Sequence, residues 1–347
     1  MPAIHVPPGP SLTLRAGPRA LALVRERGLR LEDIDILPGA SGGAKWLAIA
    51  GLDRYLFGTF FSATRTRPLH AIGSSIGSWR MACLAQRDPL AALARGHHAY
   101  IYEQRYTPKP DSAEVTRVLG RALDLLLGAN GPSDVARGPA ASARRPVLAA
   151  SLLLAAATNA VSRRALALQF ERCVFHTAGD TTPFAHLKDL PTRHVALTAP
   201  MVRDALLASG SIPLLLDGVT IADAPGRVHW DGGVIDYHLD IDYGRGDGLV
   251  LYPHFYAHVV PGWFDKGLRW RRARAANFDR ALLIAPSDAF VASLPGGKIP
   301  DRRDFFAFDE RERMRRWQET ADRSERLGDE LATLIATGRI ADAVQPW

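Results

Sequence analysis

The sequence predicts an α/β protein, and three observations carry that expectation. Short apolar runs at residues 34–37 and 69–72 are each followed by a turn of small residues and then by an apolar helical stretch, which makes two strand-loop-helix units in succession. Further strand candidates recur among the later helices, at 170–177, 194–199, 248–255 and 280–285. The chain has 347 residues, 47% of them apolar, enough for a sizeable core. With no internal repeat and no sharp break in composition, one domain over 1–347 is expected, carrying a helical insertion at 128–165 and a charged helical tail at 309–337.

Taken in order, the proline-rich first ten residues read as an extended arm. From Ser11, the apolar positions Leu12, Leu14, Ala20, Leu21, Leu23 and Val24 suggest a short helix ending near Gly28, interrupted at its start by Gly17 and Pro18. The strand at 34–37 leads into Pro38-Gly39-Ala40-Ser41-Gly42-Gly43-Ala44-Lys45 and then a helix at 46–57, with Leu47, Ile49, Ala50, Leu52, Leu56 and Phe57 at near-helical spacing. The strand at 69–72 leads into a second turn and a helix that is apolar over 78–85. Residues 89–106 read as helical, and 111–127 as a helix whose stripe is Val115, Val118, Leu119, Ala122, Leu123, Leu126 and Leu127. A loop rich in Gly, Pro, Ser and Ala follows at 128–146.

The most apolar segment, 147–157, falls short of the ~20 residues that span a bilayer. It lies between Arg144, Arg145 and Arg163, Arg164 and reads as a core helix, the sharper alternative being an interfacial lid. Residues 201–208 form a helix closed by Ser209-Gly210-Ser211-Ile212-Pro213, and 219–222 with 227–230 form a hairpin ending at Asp231-Gly232-Gly233. Basic and aromatic residues interleave over 263–274, a solvated helix face or, on the sharper reading, a surface for anionic partners. Residues 309–335 read as one long charged helix with Arg313, Met314, Trp317, Leu327, Leu331 and Leu334 inward.

Net charge is +7 and the pI is near 9.7, almost all from arginine, since lysine occurs only at 45, 109, 188, 266 and 298. This favours peripheral contact with an anionic membrane surface or an anionic substrate; no nucleic-acid motif accompanies it, so no nucleic acid is expected as a partner. Cys83 and Cys173 are too few for a disulfide scaffold, and the N-terminus lacks a basic start followed by an apolar core, so a cytoplasmic chain, at most peripheral to a membrane, is expected. No metal or cofactor is implied: no His and carboxylate spacing resembles a ligand set, and the adjacent His97 and His98 cannot chelate from one regular element.

The second turn, Gly73-Ser74-Ser75-Ile76-Gly77, fits Gly-x-Ser-x-Gly, in which small residues let a serine sit at a sharp strand-to-helix bend. Ser75 is the candidate nucleophile, beside the unpaired first amides of a helix at Ile76. The earlier glycine loop is not a phosphate-binding loop, because Lys45 is preceded by Ala44 and followed by Trp46, nor a dinucleotide loop, because Gly39, Gly42 and Gly43 are wrongly spaced. What remains is a loop whose amides converge at the mouth of a helix, suited to a developing oxyanion, with Lys45 placed to anchor it or attract an anionic group.

Glycine loop, serine elbow and Asp-Gly-Gly, in that order, resemble the patatin-like phospholipases. Gly42-Gly43-Ala44-Lys45 matches that family's Gly-Gly-x-Arg/Lys, Gly73 to Gly77 its Gly-x-Ser-x-Gly, and Asp231 to Gly233 its Asp-Gly-Gly/Ala. The run Arg203 to Pro213 is similar to its Ala-x-x-Ala-Ser-x-x-x-Pro segment, and the resemblance covers roughly residues 33 to 240. It implies a three-layer α/β/α fold with a mainly parallel central sheet, and a Ser-Asp dyad in which Ser75 attacks an ester carbonyl, Asp231 takes its proton, and Gly42, Gly43, Ala44, Lys45 and Ile76 serve the oxyanion and substrate. The implied substrate is a lipid or acyl ester, and the implied activity that of a phospholipase A or lysophospholipase. Ser41 and Trp46 stand where the family usually has glycine, and Trp46 is expected to narrow the site. Two alternatives stand beside this reading. One is an α/β-hydrolase esterase completing a triad with His238, His254 or His258; the other is a non-catalytic lipid-binding scaffold of the same fold.

Overall fold

A computed structural model describes residues 9–128, 145–177, 179, 182–222, 224, 228–244 and 246–347. The N-terminal arm, the loop expected between the helices at 111–127 and 147–157, and Arg144 therefore lie largely or wholly outside the described residues.

The chain begins with strand β1 (Leu12–Ala16), not with a helix: Leu12, Leu14 and Ala16 are buried while Thr13 and Arg15 face outward, a period of two that belongs to a strand. Helix α1 (Pro18–Arg27) starts only after Gly17 and stops at Gly28, whose φ of 77° ends it. Strand β2 (Ile34–Gly39) has Ile34, Ile36 and Leu37 almost wholly removed from solvent, as befits an interior strand covered on both faces. The helix expected at 46–57 is a composite: a 3₁₀ turn (Gly43–Ile49), α2 (Ala50–Tyr55) and a π turn (Leu56–Phe60). Strand β3 (His70–Gly73) and α3 (Ile76–Leu84) form the second unit. Helices α4 (Pro89–Tyr102) and α5 (Ser112–Leu127) are capped by the carboxylates of Asp88 and Asp111, and Gly128 ends α5 in the left-handed region.

Helix α6 (Arg145–Val161) is longer than its apolar centre, yet no helix among the described residues is long and apolar enough to cross a membrane. Strands β4 (Arg172–Thr177) and β5 (Thr192–Leu197) pair in parallel as a sheet of their own, and α7 (Val202–Ser209) leads to the short hairpin β6 (Val219–Thr220) and β7 (Val228–His229). Strands β8 (Leu249–Pro253) and β9 (Ala281–Pro286) are buried along their whole length. Between them the basic and aromatic stretch is not a helix; it makes only a 3₁₀ turn at Trp263–Asp265 before running on irregularly. After α8 (Asp288–Ser293) and α9 (Asp304–Ala307), the expected single tail helix is two, α10 (Glu310–Arg323) and α11 (Glu325–Ala336). The break has a steric cause. The Ser324 hydroxyl accepts the Gly51 amide at 2.8 Å, and a Cβ on Gly51 would lie 2.3 Å from the Ser324 carbonyl oxygen, so the α10–α11 joint is where the tail crosses α2 in backbone contact. A last helical turn α12 (Ile340–Ala343) and strand β10 (Val344–Pro346) complete the order.

The central sheet has six strands in the order β10-β1-β9-β8-β2-β3. Strands β3, β2, β8 and β9 run parallel, β1 is antiparallel to β9, and β10 is parallel to β1. The protein is thus α/β with a mostly parallel sheet, compatible with a three-layer arrangement. Register pairs Gly39 with Gly73, so the carboxyl ends of β2 and β3 release their loops side by side, the edge where open parallel sheets build sites. Beneath that edge Arg80 of α3 forms two hydrogen bonds with Asp53 of α2, at 2.8 and 2.6 Å, both side chains buried. Removing one member of such a pair strands a charge in the interior, so Asp53→Ala should lower stability by about 3–5 kcal/mol, read from urea denaturation.

Candidate active site

Ser75 sits between β3 and α3 with φ 55° and ψ −130°, a conformation that costs a non-glycine residue free energy and persists only where its surroundings fix it. The fixing is visible in the glycines on either side. A Cβ on Gly73 would meet the Ser78 Cα at 2.4 Å, and one on Gly77 would meet the Gly39 carbonyl oxygen at 1.8 Å, so the elbow closes only without those side chains. Two hydrogen bonds hold the serine backbone: its amide donates to the Ser209 hydroxyl at 2.9 Å, and its carbonyl accepts from the Ser78 hydroxyl at 2.6 Å. The Ser75 Oγ donates to Asp231 Oδ2 at 2.9 Å across 156 positions of sequence. The two candidate catalytic side chains, far apart in the chain, are brought into direct contact.

Asp231 is itself positioned. Its amide donates to the Ser211 carbonyl at 2.9 Å, and its Oδ1 accepts the Gly233 amide at 2.7 Å, leaving Oδ2 for the serine. A Cβ on Gly232 would lie 2.8 Å from Ser74 Oγ, and one on Gly233 would lie 2.6 Å from Ser41 Oγ; the glycines after the aspartate leave room for two neighbouring hydroxyls. Burial pushes the Asp231 carboxyl up to about 6, against the Gly233 amide, the Ser75 hydroxyl and the Lys266 ammonium, which act downward.

The glycine loop lies against this pair. The Ser41 amide donates to the Tyr237 carbonyl at 2.8 Å, and the Ser41 hydroxyl donates to Ser74 Oγ at 2.9 Å, tying the loop to the residue before Ser75. Gly43 has φ 57° and opens the 3₁₀ turn, so the amides of Gly43 and Ala44 stand at its start, where no preceding carbonyl of the turn reaches them. A Cβ on Gly42 would collide with the Phe255 ring at 2.6 Å. Ile76 is the first residue of α3, and its amide is likewise one of the helix's unpaired donors. Lys45 is half-buried; desolvation, with Arg302 and Lys298, lowers its ammonium pKa, against Asp301 and Asp304. Trp46 does not narrow the site. It is wholly buried against His97 and Tyr100 of α4, with ring centroids 4.6 and 5.7 Å away, and fills the core under the loop.

The histidines do not complete a triad. Among the described residues none hydrogen-bonds to Ser75 or Asp231, and the Asp231 oxygen that a triad histidine would use is on the serine itself. His238 and His254 are fully buried; the His238 Nδ1 accepts the Val260 amide, and the His254 Nδ1 lies 2.7 Å from the Tyr256 carbonyl oxygen and 2.8 Å from the Tyr256 amide. Burial holds both in the neutral form, His254 down to about 3 and His238 well below its ordinary value. His258 stacks on Tyr256 instead. Ser209 and Ser211 are residues to which the motif reading gave no part in the site. The only signal for them was their place in the run that ends at Pro213.

No model of a known protein family matches this chain, and no curated protein matches it.

The raised Asp231 carboxyl fixes the sign of a pH effect on stability. Between the ordinary 3.8 and about 6 the folded chain binds more protons at this site than the unfolded one, so stability falls as pH rises through that window. Asp231→Asn, which removes the buried charge but keeps an acceptor, should therefore be more stable than the parent at pH 7 by up to about 3 kcal/mol and no different below pH about 4, in paired thermal melts.

Proposed function

We propose that this chain is a serine acyl hydrolase of the patatin-like type, with the three-layer fold of that class, cleaving carboxylic esters of lipids or related acyl esters through an acyl-enzyme. The observation that carries the reading is the 2.9 Å hydrogen bond from Ser75 Oγ to a buried aspartate that no histidine separates from it. A serine hydroxyl needs a base within hydrogen-bond reach, and a carboxylate raised toward neutrality by burial is a stronger base than an exposed one.

The steps follow from those positions. Ser75 Oγ attacks the ester carbonyl as its proton passes to Asp231 Oδ2. The tetrahedral oxyanion is met by amides from Gly42, Gly43, Ala44 and Ile76, whose dipoles are in place before charge develops. Collapse breaks the bond to the alcohol oxygen, which leaves with the proton from Asp231, and the acyl group remains on Ser75. Water then attacks the acyl-serine, giving its proton to Asp231; the carboxylic acid departs and the proton returns to Ser75. The Gly233 amide stays on Oδ1 throughout, so the carboxylate does not rotate between the half-reactions.

Substrate class and setting are supported by the surface. Leu153, Leu154, Val161, Leu168 and Trp270 are large apolar side chains left exposed, and the last is flanked by exposed Arg269 and Arg272. Such side chains suit peripheral contact with an anionic lipid layer.

Three outcomes test the proposal together. A fluorophosphonate probe should label Ser75, with labelling lost in Ser75→Ala. Asp231→Asn should lower kcat by about 10²–10⁴ on a short-chain ester, the range for loss of a positioned base, whereas His258→Ala should stay within about twofold. Because the base works ionised, kcat/KM should fall about tenfold per pH unit below an apparent pKa near 6 and level off above it. Full turnover in Asp231→Asn, or no labelling of the parent, would sink the assignment.

A further inference from the structure

Close to the Ser75–Asp231 pair lies a group of cations that the steps above do not use. The segment carrying one of them is fixed to the loop after Asp231: the Tyr237 amide donates to the Pro261 carbonyl at 2.9 Å and the His238 amide to the Val260 carbonyl at 3.2 Å. The turn that follows is held by Asp265, which accepts from the Gly262 amide at 2.9 Å and from the Asn159 side chain at 2.7 Å. This places the Lys266 Nζ 3.7 Å above the centre of the Tyr237 ring. Tyr237 is also the residue whose carbonyl accepts the Ser41 amide, so the aromatic platform under the ammonium is tied to the glycine loop. Trp263 stands close by, with the Lys266 Nζ 5.8 Å and the Arg302 guanidinium carbon 6.0 Å from its ring centre.

Among the described residues neither Lys266, Arg302 nor Lys45 forms an ion pair. The carboxylates that might have neutralised them, Asp301 and Asp304, are both engaged by Lys298. Lys266 and Arg302 keep exposed surface through which a ligand can reach them, although the Lys266 ammonium itself is set down over the tyrosine ring. Desolvation of the ammonium over the tyrosine ring, with the charges of Lys45 and Arg302, holds Lys266 down to about 7, and only Asp231 acts the other way. Like charges gathered with no carboxylate in ion-pair contact repel one another, and an anion bound among them relieves that repulsion. A guanidinium and an ammonium gathered at one indole ring offer several donors to a single group, which suits a phosphate better than a carboxylate.

Resting on the acyl-hydrolase reading, we infer that Lys266 and Arg302, set around Trp263 beside the site, form a subsite for a phosphate monoester on the alcohol portion of the ester. The substrate class then narrows to acyl esters of phosphorylated alcohols. The phosphate docks on the two cations with Lys45 adding its charge, and the acyl carbonyl reaches Ser75. Neutral esters lack that anchor.

Two measurements on the full chain separate this inference from the reading it rests on. The first compares kcat/KM for 1-oleoyl-lysophosphatidate and 1-monooleoylglycerol, which differ only in the phosphate. The expected ratio is tenfold or more in favour of the phosphate, falling below twofold in the double variant Lys266→Gln, Arg302→Gln and retained in Lys266→Arg. The second measures binding of glycerol 3-phosphate, glycerol and inorganic phosphate to Ser75→Ala by calorimetry, where glycerol 3-phosphate should bind, glycerol should not, and the double variant should lose the binding. A ratio near one in the parent, or one untouched by the double variant, overturns the subsite while leaving hydrolysis standing. Binding of inorganic phosphate as tight as that of glycerol 3-phosphate assigns the site to free phosphate and overturns it as a substrate subsite. If neither ester is cleaved yet glycerol 3-phosphate binds through Lys266 and Arg302, the hydrolase reading fails and the anion site survives.

Discussion

The architecture of the site depends on how closely the end of β2 approaches the first turn of α3. At that crossing Gly39 and Gly77 bring two backbones together with no room for a β-carbon, and the loops leaving β2 and β3 are forced into contact. Ser75 takes its left-handed backbone angle as a result, at a cost on the order of 1–3 kcal/mol that local structure alone would not sustain. The surroundings sustain it. The buried Arg80–Asp53 pair holds α3 against α2, the Ser209 hydroxyl takes the Ser75 amide, and the Ser41 hydroxyl meets Ser74. Relaxing the crossing would loosen Ser75, the glycine loop and the two glycines after Asp231 together, because Gly232 and Gly233 fit against the Ser74 and Ser41 hydroxyls.

The same closeness sets the electrostatics. Asp231 is 7% exposed, which raises its carboxyl, and the Gly233 amide and the nearby Lys266 charge limit the rise. A carboxylate in water would be a weak base, whereas one buried with no donors would stay protonated at neutral pH. One amide on Oδ1 and one hydroxyl on Oδ2 place it between these extremes. Lys266 is coupled to Asp231 in the opposite sense, since each charge favours ionisation of the other.

Much of this was legible in the sequence where local pattern and tertiary demand coincide. The elbow glycines are required by sterics at the turn itself, and α5 carries a stripe and a capping aspartate that any packing would respect. Reading failed where the deciding contact is remote. Strand β1 has five residues of alternating burial that merge with the apolar spacing of α1, and its pairing with β9 and β10 separates them. The tail periodicity runs through Ser324 unbroken, because the crossing with Gly51 that splits it lies 273 positions away. Strand β10 is three residues long and exists only because β1 offers an edge. The grouping of Lys266 with Arg302 around Trp263 leaves no mark on local pattern, since side chains from two separate segments meet at one ring.

The strand order has a bearing on how the molecule is made. Strand β1 finds its neighbours in β9 and β10, and the Ser11 and Leu12 amides donate to Glu330 in α11, so this strand waits for residues about 270 to 330 positions further on. During synthesis on the ribosome β2, β3 and the nucleophile elbow emerge long before β8, the strand that joins them to the rest. Partners so distant in sequence make for slow closure, and for an interval in which an apolar strand edge is uncovered. Ser75 is thereby made long before its partner: until residue 231 has been translated and docked, the serine hydroxyl lacks the carboxylate that takes its hydrogen bond in the folded chain.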